Sequence, residues 1–522
     1  MSELPPVESL PVAVRAYAPP PPRLRKPLPA SEYTLTLDCE TDNDTVQALR
    51  FGAFQVRDAN VLVRRGLFYA PTTPGTDLAV LREFAATHDL ELLTLEDFVE
   101  DVFFHYVADL GGTCIGFNLP FDLSRIAVGH VPGKNSGRGG FSFELTEDAR
   151  RDRVRVVHHS STSARIELVP RHQRRMSDHP GHFVDVRSLA RALTGQSHSL
   201  ESLTRHLQTE HRKEPSDEHG GPLAPEYVAY AVNDVHATWD CFADLAARYD
   251  SYGLSRPLTR VTSEASIGKA SLEDMRIQPW RSVQPGYPPE MVGRIMSTYY
   301  GGRAEIRRRR EIVEVSYCDF KSMYATVCAL QGLWQFAISY GMDDHDATAE
   351  TRELLDRITI EDLADPAIWR ELPVLVRVRP DGDFFPTRCQ FGAGEQYGLA
   401  QSFLSSSTGE LLWFTLADCI ASTLRMGKPP EVIEAVRFTA RHPQYDLRPL
   451  DIAGNADYRV DPSREDFYVR LIDLRGEVKR NAAAARTASD EALAERLDGE
   501  QQSLKITASA TSYGIFIELN PE

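Results

Sequence analysis

The sequence predicts an α/β fold. Residues 31–250 open with strand patterns and continue with helical patterns interleaved between further strands, which is the arrangement of an α/β domain. A second segment near residue 311 again runs from a strand pattern into a helical one, and the chain closes with two long helical patterns. At roughly 100–200 residues per domain, a chain of 522 residues predicts about three domains.

The first elements follow from the spacing of apolar residues. A strand is predicted in YTLTLDCET, where apolar residues alternate up to Leu37. Two more strands are predicted in RFGAFQVRDANVLVRRGLFYAP, around a turn at residues 58–60. Amphipathic helices are predicted in LAVLREFAAT and LTLEDFVEDVFFHYVADL. A strand, a turn and a helix follow in GTCIGFNLPFDLSRIAVGH.

The remaining elements continue this alternation. A basic hairpin is predicted in VRVVHHSSTSARIELVP, and a strand with two helices in HFVDVRSLARALTG and EYVAYAVNDVHATWDCFADLAARY. Residues 251–290 are expected to connect this part to EIVEVSYCDFKSMYATV, a strand that runs into a helix. The two closing helices are predicted in DFYVRLIDLRGEVKRNAAAARTA and DEALAERLDGEQQSLKITASATSYG.

Composition limits the classes of protein that fit. Residues 1–30 are proline-rich and predict a largely disordered lead-in, either a plain spacer or a PxxP site for a partner. No stretch comes near the roughly 18 apolar residues of a membrane span, so no membrane partner is expected. The seven cysteines are scattered without zinc spacing, which favours reduced thiols and a cytoplasmic protein. A nucleoid association is expected only if the protein binds DNA.

The net charge and the local charge of the chain favour opposite conclusions about nucleic-acid binding. The net charge of −17 argues against a nucleic-acid-binding protein as a whole. Two basic segments, residues 149–175 and 301–310, could nevertheless form local phosphate-binding patches, because such contacts depend on local charge. The alternative for each segment is a solvated charged face.

Four carboxylates have spacings that suggest a shared site. Asp38 and Glu40 are two apart on a predicted strand and therefore face the same side. Asp122 lies in NLPFD at the start of a helix, and Asp234 follows Tyr230 by four residues on one helical face. Acids brought together need a cation to stay ionised, and oxygen ligands select Mg²⁺ or Mn²⁺. Two such ions can clamp the attacking and leaving oxygens of a phosphodiester.

These three segments, in this order, resemble the ExoI, ExoII and ExoIII motifs of DnaQ-like 3′–5′ exonucleases with an RNase H-like fold. A lone D-x-E means little, since residues 89–91 form another; the set of three is specific. Position 229 is alanine rather than histidine, which favours the tyrosine subclass. The resemblance implies that two metal ions are held by Asp38, Glu40, Asp122 and Asp234. It also implies that Tyr230 orients the attacking water and that Asn118 and Phe121 line the 3′ end of a single strand.

A second motif lies in DFKSMYATV. Taken alone, it fits a strand-to-helix turn with Asp319 as the N-cap. It also resembles motif A of family B DNA polymerases, with alanine where proline usually follows Tyr324. By that resemblance Asp319 is one of two carboxylates that hold the catalytic Mg²⁺ pair, and Tyr324 excludes a 2′-hydroxyl.

An upstream tyrosine–glycine segment resembles the Y-x-G-G element between the exonuclease and polymerase domains. Tyr299, Gly301 and Gly302 would contact the template phosphates, and Arg303 with the arginines at 307–310 would add DNA contacts. For this basic segment, DNA contact becomes the favoured interpretation over a solvated charged face.

The closing helices resemble the fingers of the same family. Arg475 and Lys479 are four apart, as in the helix that presents basic residues to the triphosphate. Lys505 and Tyr513 resemble motif B, K-x3-N-S-x-Y-G, but their gap is eight rather than seven and the Asn-Ser pair is replaced. One extra residue rotates the lysine by roughly a quarter turn unless a bulge absorbs it.

Motif C, Y-x-D-T-D, does not occur in the sequence. The resemblance therefore implies an RNase H-like exonuclease domain followed by an incomplete α+β palm with helical fingers. We expect a complementing C-terminal segment that carries motif C, and no primer extension by this chain alone. The length of residues 325–465 suggests an insertion like that of protein-primed polymerases.

The implied function is a family B DNA polymerase with 3′–5′ proofreading. Its expected partners are primer–template DNA, a single-stranded 3′ end and dNTPs, with two Mg²⁺ or Mn²⁺ ions per active site. A stand-alone exonuclease and a catalytically silent DNA-binding relative remain alternatives. The predicted parts are a lead-in, an exonuclease domain, a connector, a palm with an insertion, and fingers, spanning 1–30, 31–250, 251–310, 311–470 and 471–522.

Overall fold

The computed structural model shows a mixed α/β fold with several sheets, as the sequence predicts. The residues that it describes are 29–132, 140–160, 163–171, 181–213, 223–300, 308, 310–318, 320, 322–390, 397–406 and 409–512. Almost all of the predicted lead-in lies outside this range.

The first part of the chain contains two sheets. Their strands are β1 Tyr33–Thr41, β2 Leu49–Asp58, β3 Val61–Tyr69, β4 Glu91–Thr94, β5 Thr113–Gly116, β6 Gly129–Pro132, β7 Phe141–Glu144, β8 Arg153–Ser160, β9 Ser163–Val169 and β10 His182–Asp185. The main sheet has the order β10-β5-β1-β2-β3-β4, and β6–β9 form a separate sheet in sequence order. Strand β1 pairs antiparallel with β2 and parallel with β5, so it lies inside the sheet with partners on both edges.

The helices of this part cover both faces of the main sheet. They are α1 Gly75–His88, α2 Leu95–Asp97, which continues as a π-helix Phe98–Asp109, α3 Leu119–Arg125, α4 Val186–Thr194, α5 Leu200–Leu207 and α6 Pro225–Asp250. Leu35, Leu37 and Cys39 of β1 share one buried cluster with the π-helix. Because side chains alternate along a strand, Asp38 and Glu40 point to the opposite face, which α6 covers. The predicted strands and helices of residues 31–250 are therefore confirmed, except that the second helix begins at Leu95 and is mostly a π-helix. Strands β4, β6 and β7 and helix α5 are additions to the prediction.

The second part of the chain holds a further sheet and most of the remaining helices. Its elements are α7 Glu264–Asp274, α8 Trp280–Val283, α9 Pro289–Ser297, α10 Met323–Leu330, α11 Trp334–Ala337, β11 Met342–Asp346, α12 Thr348–Arg357, α13 Pro366–Trp369, β12 Val374–Arg379, β13 Asp381–Gln390, β14 Tyr397–Ser405, β15 Leu412–Thr415, α14 Leu416–Met426, β16 Glu431–Ala440, β17 Leu450–Asp451, β18 Arg459–Val460, α15 Phe467–Thr487 and α16 Glu491–Ser512. Strands β11, β16, β12 and β15 form an antiparallel sheet in that order, while β13–β14 and β17–β18 are hairpins. The two closing helices are confirmed, and α16 packs on α15 as well as on α4 and α7.

The strand predicted in EIVEVSYCD is wrong for the residues that the structure describes there. Residues 311–318 have no strand partner and no regular secondary structure. The side chains of Ile312, Val315 and Tyr317 are exposed to solvent. An apolar alternation makes a strand only where a neighbouring strand accepts its backbone hydrogen bonds, and none of the described strands does so.

The basic segment 149–175 is neutralised by acids over much of its described length. Arg151 bonds Glu100 and Asp109, Arg153 bonds Glu144, and Arg165 bonds Glu167. Each of these guanidinium groups already has a carboxylate within 3 Å. This part of the surface thus fits the charged-face alternative better than a phosphate-binding patch.

Two further observations concern the residues that the structure describes. Within those residues, no helix has both the length and the apolar character that crossing a membrane requires. The cysteines whose side chains are described are free thiols.

Candidate active site

The candidate site begins where β1 meets α3. The backbone N–H of Cys39 donates a hydrogen bond to Asp122 Oδ1 at 3.1 Å, which joins the residue between the two β1 acids to the acid of α3. Asp122 is 2% exposed and Glu40 is 8% exposed. The close approach of α3 to β1 therefore brings Asp122 beside the segment that carries Asp38 and Glu40. Both Asp122 and Glu40 are largely shielded from solvent.

Helix α6 supplies the next contacts. The hydroxyl of Tyr227 donates a hydrogen bond to Glu40 Oε2. Asp234, 2% exposed, forms an ion pair with the ammonium group of Lys213. The same ammonium lies 4.9 Å from the centre of the Tyr230 ring. One helix thus faces both the β1 acids and a lysine from the segment that precedes it.

Electrostatics show that the four predicted acids act on one another. Burial raises the pKa of Asp38 well above its ordinary value, and the charges of Asp122, Glu40 and Asp234 raise it further. Lys213 acts in the opposite direction. Burial likewise raises the pKa of Asp122, although the hydrogen bond from Cys39 N–H lowers it. The structure therefore brings Asp38, Glu40, Asp122 and Asp234 together, with Lys213 as a compensating cation.

A fifth carboxylate orders the turn before α3. Asp185, at the end of β10, accepts hydrogen bonds from the backbone N–H of Asn118 at 2.8 Å and of Leu119 at 3.3 Å. Asn118 has a left-handed backbone with φ 69°, and the residue is exposed. The half-buried Phe121 follows, with the Arg125 guanidinium 4.7 Å from its ring centre.

The donor set fits divalent cations in its chemistry. Asp122 Oδ2 is buried and has no hydrogen-bond partner among the described residues. An uncompensated buried carboxylate oxygen is costly, and a hard cation is the ligand that suits it. Within the described part of the chain, however, no three acidic, histidine or cysteine side chains approach closely enough to enclose a metal ion. The fit therefore rests on oxygen chemistry and charge.

The structure places the predicted polymerase residues separately. Tyr299 is half exposed, Tyr324 is exposed on α10, and Lys479 and Lys505 are exposed on α15 and α16. Arg475 is buried at 8% exposure and donates hydrogen bonds to Gln501 Oε1 and to Ser322 Oγ. Seven predicted residues lie outside the described residues: Gly301, Gly302, Arg303, Arg307, Arg309, Asp319 and Tyr513.

Three residues of the site were not predicted. Tyr227 precedes Tyr230 by three positions on the same helix, a spacing that could have indicated a second tyrosine near the acids. Asp185 ends β10, which pairs parallel with β5, and Asp38 lies on β1, which pairs with the other edge of β5. The strand order could therefore have placed Asp185 near the acids. Lys213 carries no recognisable signal, because only the fold brings it to α6.

Comparisons with known proteins give a distant fold relationship. No protein-family model matches the chain, and no curated protein matches it. Among solved structures, "Phi29 DNA polymerase complexed with single-stranded DNA" aligns with a TM-score of 0.40 and 12% sequence identity. The alignment covers 91% of this chain and 66% of that chain.

Proposed function

We propose that this chain is a DNA-polymerase-like protein whose residues 31–250 form a two-metal 3′–5′ exonuclease for single-stranded DNA. The observation that carries the proposal is the mutual effect of Asp38, Glu40, Asp122 and Asp234, whose charges meet in one largely buried place. The mixed sheet, with acids on β1 and on the helices beside it, supports the RNase H-like assignment.

The chemistry follows from the carboxylates. Bound Mg²⁺ or Mn²⁺ ions, held by the four acids, would supply charge neutralisation and lower the pKa of the attacking water. Tyr227 fixes Glu40, and the Cys39 N–H fixes Asp122, so two of the ligands are oriented in advance. In this proposal Tyr230 holds the attacking water, and Asn118 and Phe121 border the path of the 3′ end.

A double substitution tests this proposal. We expect Asp38→Ala with Glu40→Ala to abolish metal-dependent degradation of single-stranded DNA by the purified chain. The matched control is Asp89→Ala with Glu91→Ala, the other D-x-E of the sequence, which should retain the parent's rate. Degradation by the Asp38/Glu40 variant at the parent's rate would refute the site. No degradation by the folded parent would favour a silent DNA-binding relative.

A polymerase function for the second part is the other candidate. The observation that favours it is the hydrogen bond from Arg475 to Ser322, which joins the fingers-like α15 to the segment resembling motif A. Exposed Tyr324, Lys479 and Lys505 are then candidates for nucleotide contact. Because the sequence lacks Y-x-D-T-D, we expect this chain alone not to extend a primer. Template-directed dNTP incorporation by the purified chain would contradict that expectation.

A further inference from the structure

The segment that carries Lys213 is fastened to helix α6 by contacts away from the acids. The carboxylate of Asp240 accepts two hydrogen bonds from His211, one from its backbone N–H at 3.0 Å and one from its ring Nδ1 at 2.9 Å. Two turns earlier on the helix, the side-chain amide of Asn233 donates to the carbonyl of Arg212 at 2.8 Å. These three hydrogen bonds hold His211 and Arg212, the two residues that precede Lys213.

The anchors and the acid site use neighbouring stripes of the same helix. Asn233 and Asp240 are seven residues apart, two helical turns, and so lie on one face of α6. Tyr230 and Asp234, which contact the Lys213 ammonium, lie on the adjacent face. Fixing the backbone at 211 and 212 to the first stripe therefore sets where the lysine meets the second.

The other end of the segment is also held. Thr209 is buried and its hydroxyl donates to the carbonyl of His211 at 2.8 Å, while its backbone N–H bonds the carbonyl of Thr204 at the end of α5. The ring of His211 stacks on that of His236, with centres 4.9 Å apart. Residues 209–213 are therefore held at both ends, and we call this segment the strap.

We propose that Asp240 is a positioning residue of the exonuclease, which holds the strap through His211 and thereby delivers the Lys213 ammonium to Asp234. This inference rests on the proposed function and adds a residue outside the acid cluster to it. Asp240 touches neither the four acids nor Lys213 in any described contact; it acts through the strap. The role resembles that of outer partners which orient metal ligands.

Two readouts test the inference on the full chain. The first is acylation of Lys213 by an amine-reactive reagent, followed by mass spectrometry, with exposed Lys505 as the internal standard. In Asp240→Ala we expect Lys213 to be labelled several-fold faster relative to Lys505, because the ammonium no longer stays against Asp234. Asp240→Asn, which keeps an acceptor oxygen for His211, should fall between the parent and Asp240→Ala.

The second readout is nuclease kinetics on single-stranded DNA with Mg²⁺. Asp240→Ala should lower kcat about 10–100-fold, the usual cost of removing an outer partner, and leave KM within about twofold. Asp244→Ala is the matched control, because it removes the same charge from the next turn of α6, where the carboxylate is exposed and lies off the strap. It should leave both constants and the labelling ratio unchanged.

The outcomes separate the two proposals. Unchanged Lys213 labelling in a folded Asp240→Ala variant would overturn the role of Asp240, whatever the activity. Faster labelling with unchanged kcat would also overturn it, since the strap would then not serve catalysis. A third outcome is faster labelling in Asp240→Ala together with no nuclease activity in the unsubstituted chain. That result would refute the exonuclease but would leave the mechanical link between Asp240 and Lys213 intact.

Discussion

The guanidinium of Arg475 donates a hydrogen bond to Ser322 Oγ at 2.5 Å, which ties helix α15 to the first turn of α10. A second bond, from Arg475 Nε to Gln501 Oε1 at 2.7 Å, extends the link to α16. A charged side chain buried between three helices is tolerated because polar partners meet it.

Removal of Arg475 should therefore destabilise the second part of the chain. We expect Arg475→Ala to lower the free energy of unfolding by about 1–3 kcal/mol, because Ser322 and Gln501 lose a buried donor. The measurement is the urea midpoint followed by circular dichroism. Arg480→Ala, an exposed position on the same helix, should change the free energy by less than about 0.5 kcal/mol. Equal effects of the two substitutions would show that the Arg475 link carries little stability.

The acid cluster makes stability depend on pH in a defined direction. Asp122 has a folded-state pKa raised above its ordinary value of 3.8 by burial, so the folded protein binds protons more tightly than the unfolded one. Its stability contribution is intact below about pH 4 and is lost as pH rises through the raised pKa. Asp122→Asn, which keeps an acceptor for Cys39 N–H, removes this loss.

We accordingly expect the variant Asp122→Asn to melt at higher temperature than the parent at pH 8 with a chelator present. A rise of about 2–4 °C corresponds to about 1 kcal/mol in a domain of about 200 residues. The gap should close as pH falls below about 3, where the parent carboxyl is protonated in both the folded and the unfolded state. Asp343→Asn, at an exposed carboxyl whose pKa the hydrogen bond from Arg441 lowers, should show no such gain at pH 8. A gap that stays constant with pH would contradict the titration argument.

Divalent cations should offset the repulsion among the four carboxylates and so stabilise the folded protein. Mg²⁺ at about 100 times its dissociation constant would stabilise the folded state by about 2.7 kcal/mol, since a ligand that binds only the folded state shifts the equilibrium. We expect Mg²⁺ to raise the melting temperature of the parent and to leave that of the Asp38→Ala/Glu40→Ala variant unchanged. Titrations with Ca²⁺ and Mg²⁺, followed by calorimetry, give the number of ions bound. An equal rise in the melting temperature of the parent and of the variant would show that the ions bind elsewhere.

The cap that Asp185 forms on α3 should matter for both stability and substrate binding. In Asp185→Ala the N–H groups of Asn118 and Leu119 lose their acceptor, at a cost of about 0.5–2 kcal/mol. Under the proposed function Asn118 borders the path of the 3′ end, so KM for single-stranded DNA should rise more than kcat falls. Ser188→Ala is the control, since it removes only the hydroxyl that bonds the other Asp185 oxygen. A fall in kcat alone would argue against this role of the turn.

The exposed segment 311–318 should be the first site of cleavage by chymotrypsin among the described residues. Tyr317 is 91% exposed and Phe320 is 77% exposed, and no strand holds the backbone between Glu311 and Cys318. Exposed irregular segments are where proteolytic nicking concentrates. Peptide mapping over time should show cuts after these two residues before any cut after Tyr33 of β1 or Tyr249 of α6, both of which lie in regular elements. Earlier cuts at the latter two would show that the segment is protected.

Much of the fold and the acid set could be predicted because both are encoded locally. Alternation in YTLTLDCET sets the strand and the side to which Asp38 and Glu40 point, and helical spacing sets the face of Tyr230 and Asp234. What the sequence could not give depends on long-range packing. Tyr227 bonds Glu40, and Lys213 reaches Asp234 only because the strap is fastened to α6.

The strand expected in EIVEVSYCD shows the limit of such reasoning. The segment has an alternating apolar pattern, yet a strand also requires a neighbouring strand to accept its hydrogen bonds. Periodicity within one segment does not show whether such a neighbour exists. The same holds for Arg475 and Lys479: their spacing of four correctly implies one helix, but packing buries the first and leaves the second exposed.

Helix α16 belongs to two hydrophobic cores at once. Ile506 is buried in the cluster that contains Val184, Leu189 and Ile267, while Leu504 and Ala508 are buried in the cluster around α15. Gln502 adds a hydrogen bond to the carbonyl of Thr194 at 2.9 Å. A gene cut after residue 250 would therefore expose a hydrophobic surface on residues 31–250 and promote aggregation. Separating the two halves genetically calls for point substitutions in the intact polypeptide.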